Sequence, residues 1–122
     1  MDSLADFFKN INDDDQRKQL HDVLDWITER FPHLRLALVN ESPMFTDHKT
    51  DIIEFNATEG GIVLISKSKG FEQFKDDISA AGYLKTKDSI TIPWQKEIDY
   101  GLLDEIIAWQ VQMNSNTESY WR

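Results

Sequence analysis

Cysteine is absent from this chain of 122 residues. That excludes a disulfide framework, a thiolate nucleophile, a zinc-thiolate site and a cysteine-ligated iron–sulfur cluster. It also suits a reducing compartment. Long apolar runs are lacking too: nothing approaches the roughly 18 residues of a membrane span, and the first residues carry acids where a secretory signal needs positive charge. The expectation is a cytoplasmic protein with no membrane partner. Basic residues are few, 13 against 22 acids, giving a formal net charge of −9. Clustered Lys and Arg are what displace counterions from phosphate backbones, so nucleic acid is not an expected partner. Most of the acidity lies in residues 1–60, which hold 13 acids and 6 bases. In the near-neutral middle, Lys67, Lys69, Lys85 and Lys87 are candidates to hold one phosphate, with ordinary solvated lysines as the alternative.

What the chain does contain is enough apolar residue, 40% of the total, to bury one core in a single domain spanning residues 1–122. Ser3 and Asp6 have capping-box-like spacing, and Leu4, Phe7, Phe8 and Ile11 follow at helical intervals, predicting a short opening helix. Asn12 is placed to cap a second helix, whose stripe of Leu20, Val23, Leu24, Ile27 and Phe31 ends at Pro32. Strands are expected over 36–39, 52–57 and 62–66, with Glu59-Gly60-Gly61 as a tight hairpin between the last two. Phe71, Phe74, Ile78 and Ala81 return to helical spacing before Gly82 as a C-terminal cap. A short strand over 89–92 runs into Pro93 and Trp94. Asp99 then caps a last helix with Leu102, Leu103, Ile106, Trp109 and Met113 on one face. The polar tail 114–122 either frays or docks through Tyr120 and Trp121. Each element has one apolar face to bury, so the order ααβββαβα predicts an α+β two-layer sandwich, a small antiparallel sheet packed against helices.

Three stretches carry a resemblance: Pro43-Met44-Phe45-Thr46-Asp47-His48, then Ala81-Gly82-Tyr83 with Thr86-Lys87, then Ile92-Pro93-Trp94 followed by Asp99-Tyr100-Gly101-Leu102-Leu103. With them the chain resembles the YdhG-like family of small bacterial domains, most of unknown function and some described as frataxin-like intracellular iron chaperones. Two places depart from the family pattern. An aromatic residue often precedes the proline matching Pro43, where Val39-Asn40-Glu41-Ser42 stands here. A Lys-Lys-His-like tip between the central strands is replaced by Glu59-Gly60-Gly61. The resemblance implies labile iron as a ligand, no tightly bound cofactor, and an iron-accepting protein as partner.

Iron in either common state accepts oxygen and imidazole ligands. On the second helix Asp22, Asp25 and Glu29 fall within about 60° of one another, opposite the apolar stripe, and Asp14 and Asp15 flank the same face. These five carboxylates are the candidate metal ligands. The plain alternative stands beside them: acids in the first turn offset the helix dipole, and a wet helix face is normally charged, with Lys18 partly neutralising it. His48, between Asp47 and Asp51, is a second candidate ligand, although the local sequence also fits a turn. His21 and His33 read as surface or boundary residues. Ser42, Ser66, Ser68 and Ser89 lack a local triad signature, and Glu41 with Glu54 is a weak acid pair, so an enzyme is not expected. The alternative to an iron chaperone is a non-catalytic module that binds a small molecule or a second copy of itself. Its pocket or interface residues are Met44, Phe45, Trp94 and Tyr100, for which burial in the core is the competing account.

Overall fold

The computed structural model describes residues 4–11, 13–39, 42–48, 50–66, 70–94 and 96–121, with side chains between positions 6 and 113 of those ranges. Two helices open it, α1 (Leu4–Lys9) and α2 (Asp14–Arg30), followed by strands β1 (Arg35–Val39), β2 (Ser42–Asp47), β3 (Thr50–Thr58) and β4 (Gly61–Ile65). Two short helices α3 (Gly70–Gln73) and α4 (Lys75–Ala80), strands β5 (Leu84–Lys85) and β6 (Ser89–Pro93), and the long helix α5 (Tyr100–Trp121) complete it. The strands form one open antiparallel sheet in the order β1-β2-β3-β4-β6-β5. The expected α+β class and element order hold, with β2 and β5 as additional strands and the helical stretch after Gly70 broken at Phe74. No helix among the described residues is long and apolar enough to cross a membrane.

The registers explain where the core lies. Rows Leu36, Phe45, Ile53 and then Phe55, Leu64, Ile90 and Ala57, Ile62, Ile92 sit side by side across the strands. These join one apolar cluster with Leu20, Val23, Leu24 and Ile27 of α2 and Leu102, Leu103, Ile106 and Ile107 of α5. Alternation along each strand sends the next row, Ala37, Met44, Glu54, Ile65 and Ser89, to the opposite face. Beside Phe45 the register of β2 against β3 slips by one, leaving Ile52 as the extra residue of a bulge. Both Ile52 and Ile53 are therefore buried in the core.

Helix ends are set by identifiable caps. α2 is capped by Asp13, whose Oδ1 accepts from Asp15 N at 2.8 Å and Gln16 N at 3.0 Å, so the cap falls one residue after the expected Asn12. Asn12 itself lies outside the described residues, as do Ser3, Asn40, Glu41 and the side chains of Leu4, Tyr120 and Trp121. Gly82, at φ +82°, closes α4: its N–H bonds to Ser79 O and that of Tyr83 to Ile78 O, the paired bonds of a left-handed C-terminal cap. Asp99 caps α5 as expected, with Oδ1 accepting from Leu102 N at 3.0 Å. Its own N–H is held by the Tyr83 hydroxyl at 2.8 Å.

Candidate functional site

The helical period of α2 turns Leu20, Val23, Leu24 and Ile27 to the core and leaves Asp14, Asp15, Asp22, Asp25 and Glu29 exposed. Three of these carboxylates face a neighbouring base. Asp14 Oδ1 is 2.8 Å from Arg17 Nη2, Asp22 Oδ2 is 2.9 Å from Lys18 Nζ, and Asp25 Oδ2 is 3.1 Å from His21 Nδ1. The hydrogen bond and charge of Asp22 hold the Lys18 ammonium above its ordinary pKa. Asp15 and Glu29 have no ion-pair partner among the described residues. The face is thus a row of single carboxylates, and among the described residues no three His, Asp or Glu side chains gather into a metal-binding group.

His48 occupies the turn between β2 and β3 at φ +51°, with Nδ1 3.2 Å from Asp47 Oδ1. Asp47 is buried and His48 exposed, which fits the expected local turn. Of the lysines considered for phosphate, Lys67 and Lys69 lie outside the described residues. Lys85 Nζ is taken by Glu72 Oε2 at 3.1 Å and by the main-chain oxygen of Thr86. That pairing depresses the Glu72 pKa.

The four aromatic and soft residues proposed for a pocket are dispersed. Phe45 is wholly buried, edge-on to Phe55 with ring centroids 6.0 Å apart. Met44 is buried on the other face of the sheet and is not part of the core cluster. Tyr100 is half-buried against Trp26, 4.9 Å between centroids, and helps line a cleft of about 590 Å³ with Tyr83, Lys96 and Asp99. Burial pushes the Tyr100 hydroxyl pKa up, and the charge of Asp22 adds to this. Trp94 follows β6, and its Nε1 donates to Thr58 O at 2.7 Å, pinning the indole to the end of β3. It lines a separate cleft of about 410 Å³ with Ile11, Asp13, Ala57 and Glu59. Trp94 stands out in the sequence as a pocket residue, whereas Asp13, Ala57 and Glu59 beside it do not. With Trp94 they come from three separate segments, the start of α2, the end of β3 with its hairpin, and the end of β6, which only the fold brings together.

No family model matches the sequence. A curated relative from Bacillus subtilis named "Intracellular iron chaperone frataxin" is 32% identical over 122 residues, covering 100% of this chain and 99% of the relative. The crystal structure of a DUF1801-family protein (YdhG) from Bacillus subtilis matches with a TM-score of 0.88 at 32% identity, over 94% of this chain and 93% of that one. An uncharacterised conserved protein from Lactobacillus casei matches with a TM-score of 0.66 at 28% identity, over 93% of each chain. Full-length similarity in both sequence and fold places the chain: it belongs to the YdhG-like, DUF1801 family.

Proposed function

We propose that this protein is a frataxin-like iron carrier that holds iron as cargo on the exposed carboxylates of α2. The observation carrying the reading is the end-to-end similarity to a relative named as an intracellular iron chaperone. The chain's own chemistry supports it. Asp22, Asp25 and Glu29 stand on one solvent-facing surface, and His21 beside Asp25 adds a nitrogen donor within 3.1 Å of a carboxylate oxygen. Oxygen and imidazole are the donors that ferrous and ferric iron accept.

The ion pairs on this face do not stand in the way. Asp22 and Lys18 are 50% and 76% exposed, so solvent screens the pair and either partner is easily released. Micromolar binding needs about 8 kcal/mol in total, within reach of a few carboxylates and retained water ligands. A site assembled from single carboxylates on a solvated helix binds loosely, which suits delivery to an iron-accepting protein better than storage. In this reading the protein has no resident cofactor and carries out no catalysis. A second reading, a non-catalytic small-molecule module, is favoured by the clefts beside Trp94 and Tyr100 and not by Met44 or Phe45. Anaerobic ferrous titration of metal-free protein, and of the Asp22→Asn, Asp25→Asn, Glu29→Gln triple variant, separates the two.

A further inference from the structure

The cleft beside Trp94 has no part in the iron reading. Its apolar wall is the Trp94 ring with Ile11 and Ala57, its charged lining is Asp13 and Glu59, and among the described residues no lysine or arginine lines it. At about 410 Å³ it lies in the size range of small-molecule sites. We propose that this cleft binds a small organic cation, a primary or quaternary alkylammonium compound, with the charged head against the indole face and between the carboxylates of Asp13 and Glu59.

The orientation of Trp94 is the first support. Its only polar edge is used, because Nε1 donates to Thr58 O at 2.7 Å. What the ring offers a ligand is its π-face and carbon edge, and an aromatic face attracts cations through its quadrupole. The state of the two carboxylates is the second. Asp13 spends Oδ1 on the N–H groups of Asp15 and Gln16, which leaves Oδ2 uncommitted. Glu59 has no hydrogen bond or ion pair among the described residues. Among the described residues neither acid has a basic partner.

An anion is the competing occupant, since the N-terminus of α2 opens here. A helix N-terminus carries about half a positive charge. Asp13 already caps those N–H groups with a full negative charge, Glu59 adds another, and among the described residues no base lines the cleft; Arg17, whose Nε donates to Ile11 O, is paired with Asp14. Two full negative charges thus outweigh the half positive charge of the helix end in the lining. The alkyl part of the ligand finds Ile11, Ala57 and the indole, so a hydrated inorganic cation uses less of the surface than an organic one.

The test is a titration of the intact, iron-free protein followed through the indole N–H resonance of Trp94, assigned by its disappearance in Trp94→Phe. The probes are butylammonium and tetramethylammonium, with butanol as the uncharged counterpart. A saturable shift with the ammonium probes, a weaker response to butanol, and affinity lowered about threefold by Glu59→Gln and by Asp13→Asn are expected. Asn caps a helix as well as Asp does, and Glu59 lies in an exposed turn, so both variants keep the fold. The proposal is overturned by a non-saturating shift, by an equal response to butanol, or by affinity unchanged in both variants. No probe contains metal and no variant touches Asp22, Asp25 or Glu29, so failure here is distinct from failure of the iron reading.

Discussion

Gln110 Nε2 donates to the main-chain oxygen of Ile52 at 2.9 Å, linking positions 58 residues apart in the chain. Ile52 is the extra residue of the β3 bulge, so its carbonyl lies where the strand ladder is disrupted. The Ser66 hydroxyl donates to the same oxygen at 3.1 Å. Two side chains from different elements thus supply what the bulge removes, and Gln110 fastens α5 to the sheet at that point. Gly70 is part of the arrangement, because a Cβ there would fall on the Gln110 side chain.

A double-mutant cycle tests this sharing. Gln110→Leu and Ser66→Ala each leave one donor on the Ile52 carbonyl, so each is expected to cost about 1 kcal/mol. Together they leave a buried acceptor with neither donor, and the double variant should lose about 1 kcal/mol more than the sum of the two. Urea unfolding of the four proteins measures it. Simple additivity would show that the two bonds act independently.

Gly61 marks a different constraint. It closes the β3–β4 hairpin opposite Thr58 at φ +152°, and an added Cβ would fall on the Ile92 carbonyl and lie 2.9 Å from Pro93 Cα. The obstacle is backbone of the next strand, so no rotamer change relieves it. Gly61→Ala should therefore destabilise by about 2 kcal/mol or more, read from its denaturation midpoint. Gly60, whose Cβ would meet nothing closer than Thr58 Oγ1 at 3.7 Å, should tolerate alanine far better.

Stability at high pH should respond to Tyr83. Its hydroxyl donates to Glu97 O at 3.1 Å and accepts from Asp99 N, and burial holds its pKa above the ordinary value of 10.0. The folded state keeps this proton to higher pH than the unfolded chain does. The contribution is thus complete below about pH 10 and declines as pH rises through the folded-state pKa. Tyr100, also pushed up by burial, acts in the same direction. Tyr83→Phe should start less stable at neutral pH, through two lost hydrogen bonds, yet lose less between neutral and strongly alkaline pH. An identical alkaline slope in both proteins would contradict the assignment.

The sequence made the helices and the central strands legible because their residues repeat with the right period. Leu20, Val23, Leu24 and Ile27 on α2, and Ile62 and Leu64 on β4, are buried as the patterns require. β2 was hidden by its own composition: Pro43 and the polar Thr46-Asp47 interrupt the alternation, and only pairing on both sides makes it a strand. β5, two residues long, has no period to detect. The cap on α2 was misplaced by one residue because Asn12 and Asp13 are both good N-caps, and geometry selected Asp13. Of the candidate site, the acidic face was readable from helical spacing. Its contacts with Lys18 and His21 follow the same spacing, at i and i+4. The cleft beside Trp94 was not readable, since Asp13, Ala57, Glu59 and Trp94 meet only after the hairpin and helix α2 are in place.

Whether iron rides on the carboxylates of α2 is decided by anaerobic calorimetric titration of ferrous iron into metal-free protein. Saturable binding near the micromolar range, about 8 kcal/mol, is expected, weakened about tenfold or more in the Asp22→Asn, Asp25→Asn, Glu29→Gln triple variant. All three side chains are exposed, so that variant should fold as the parent does. Absence of saturable binding, or equal binding by parent and triple variant, would contradict it.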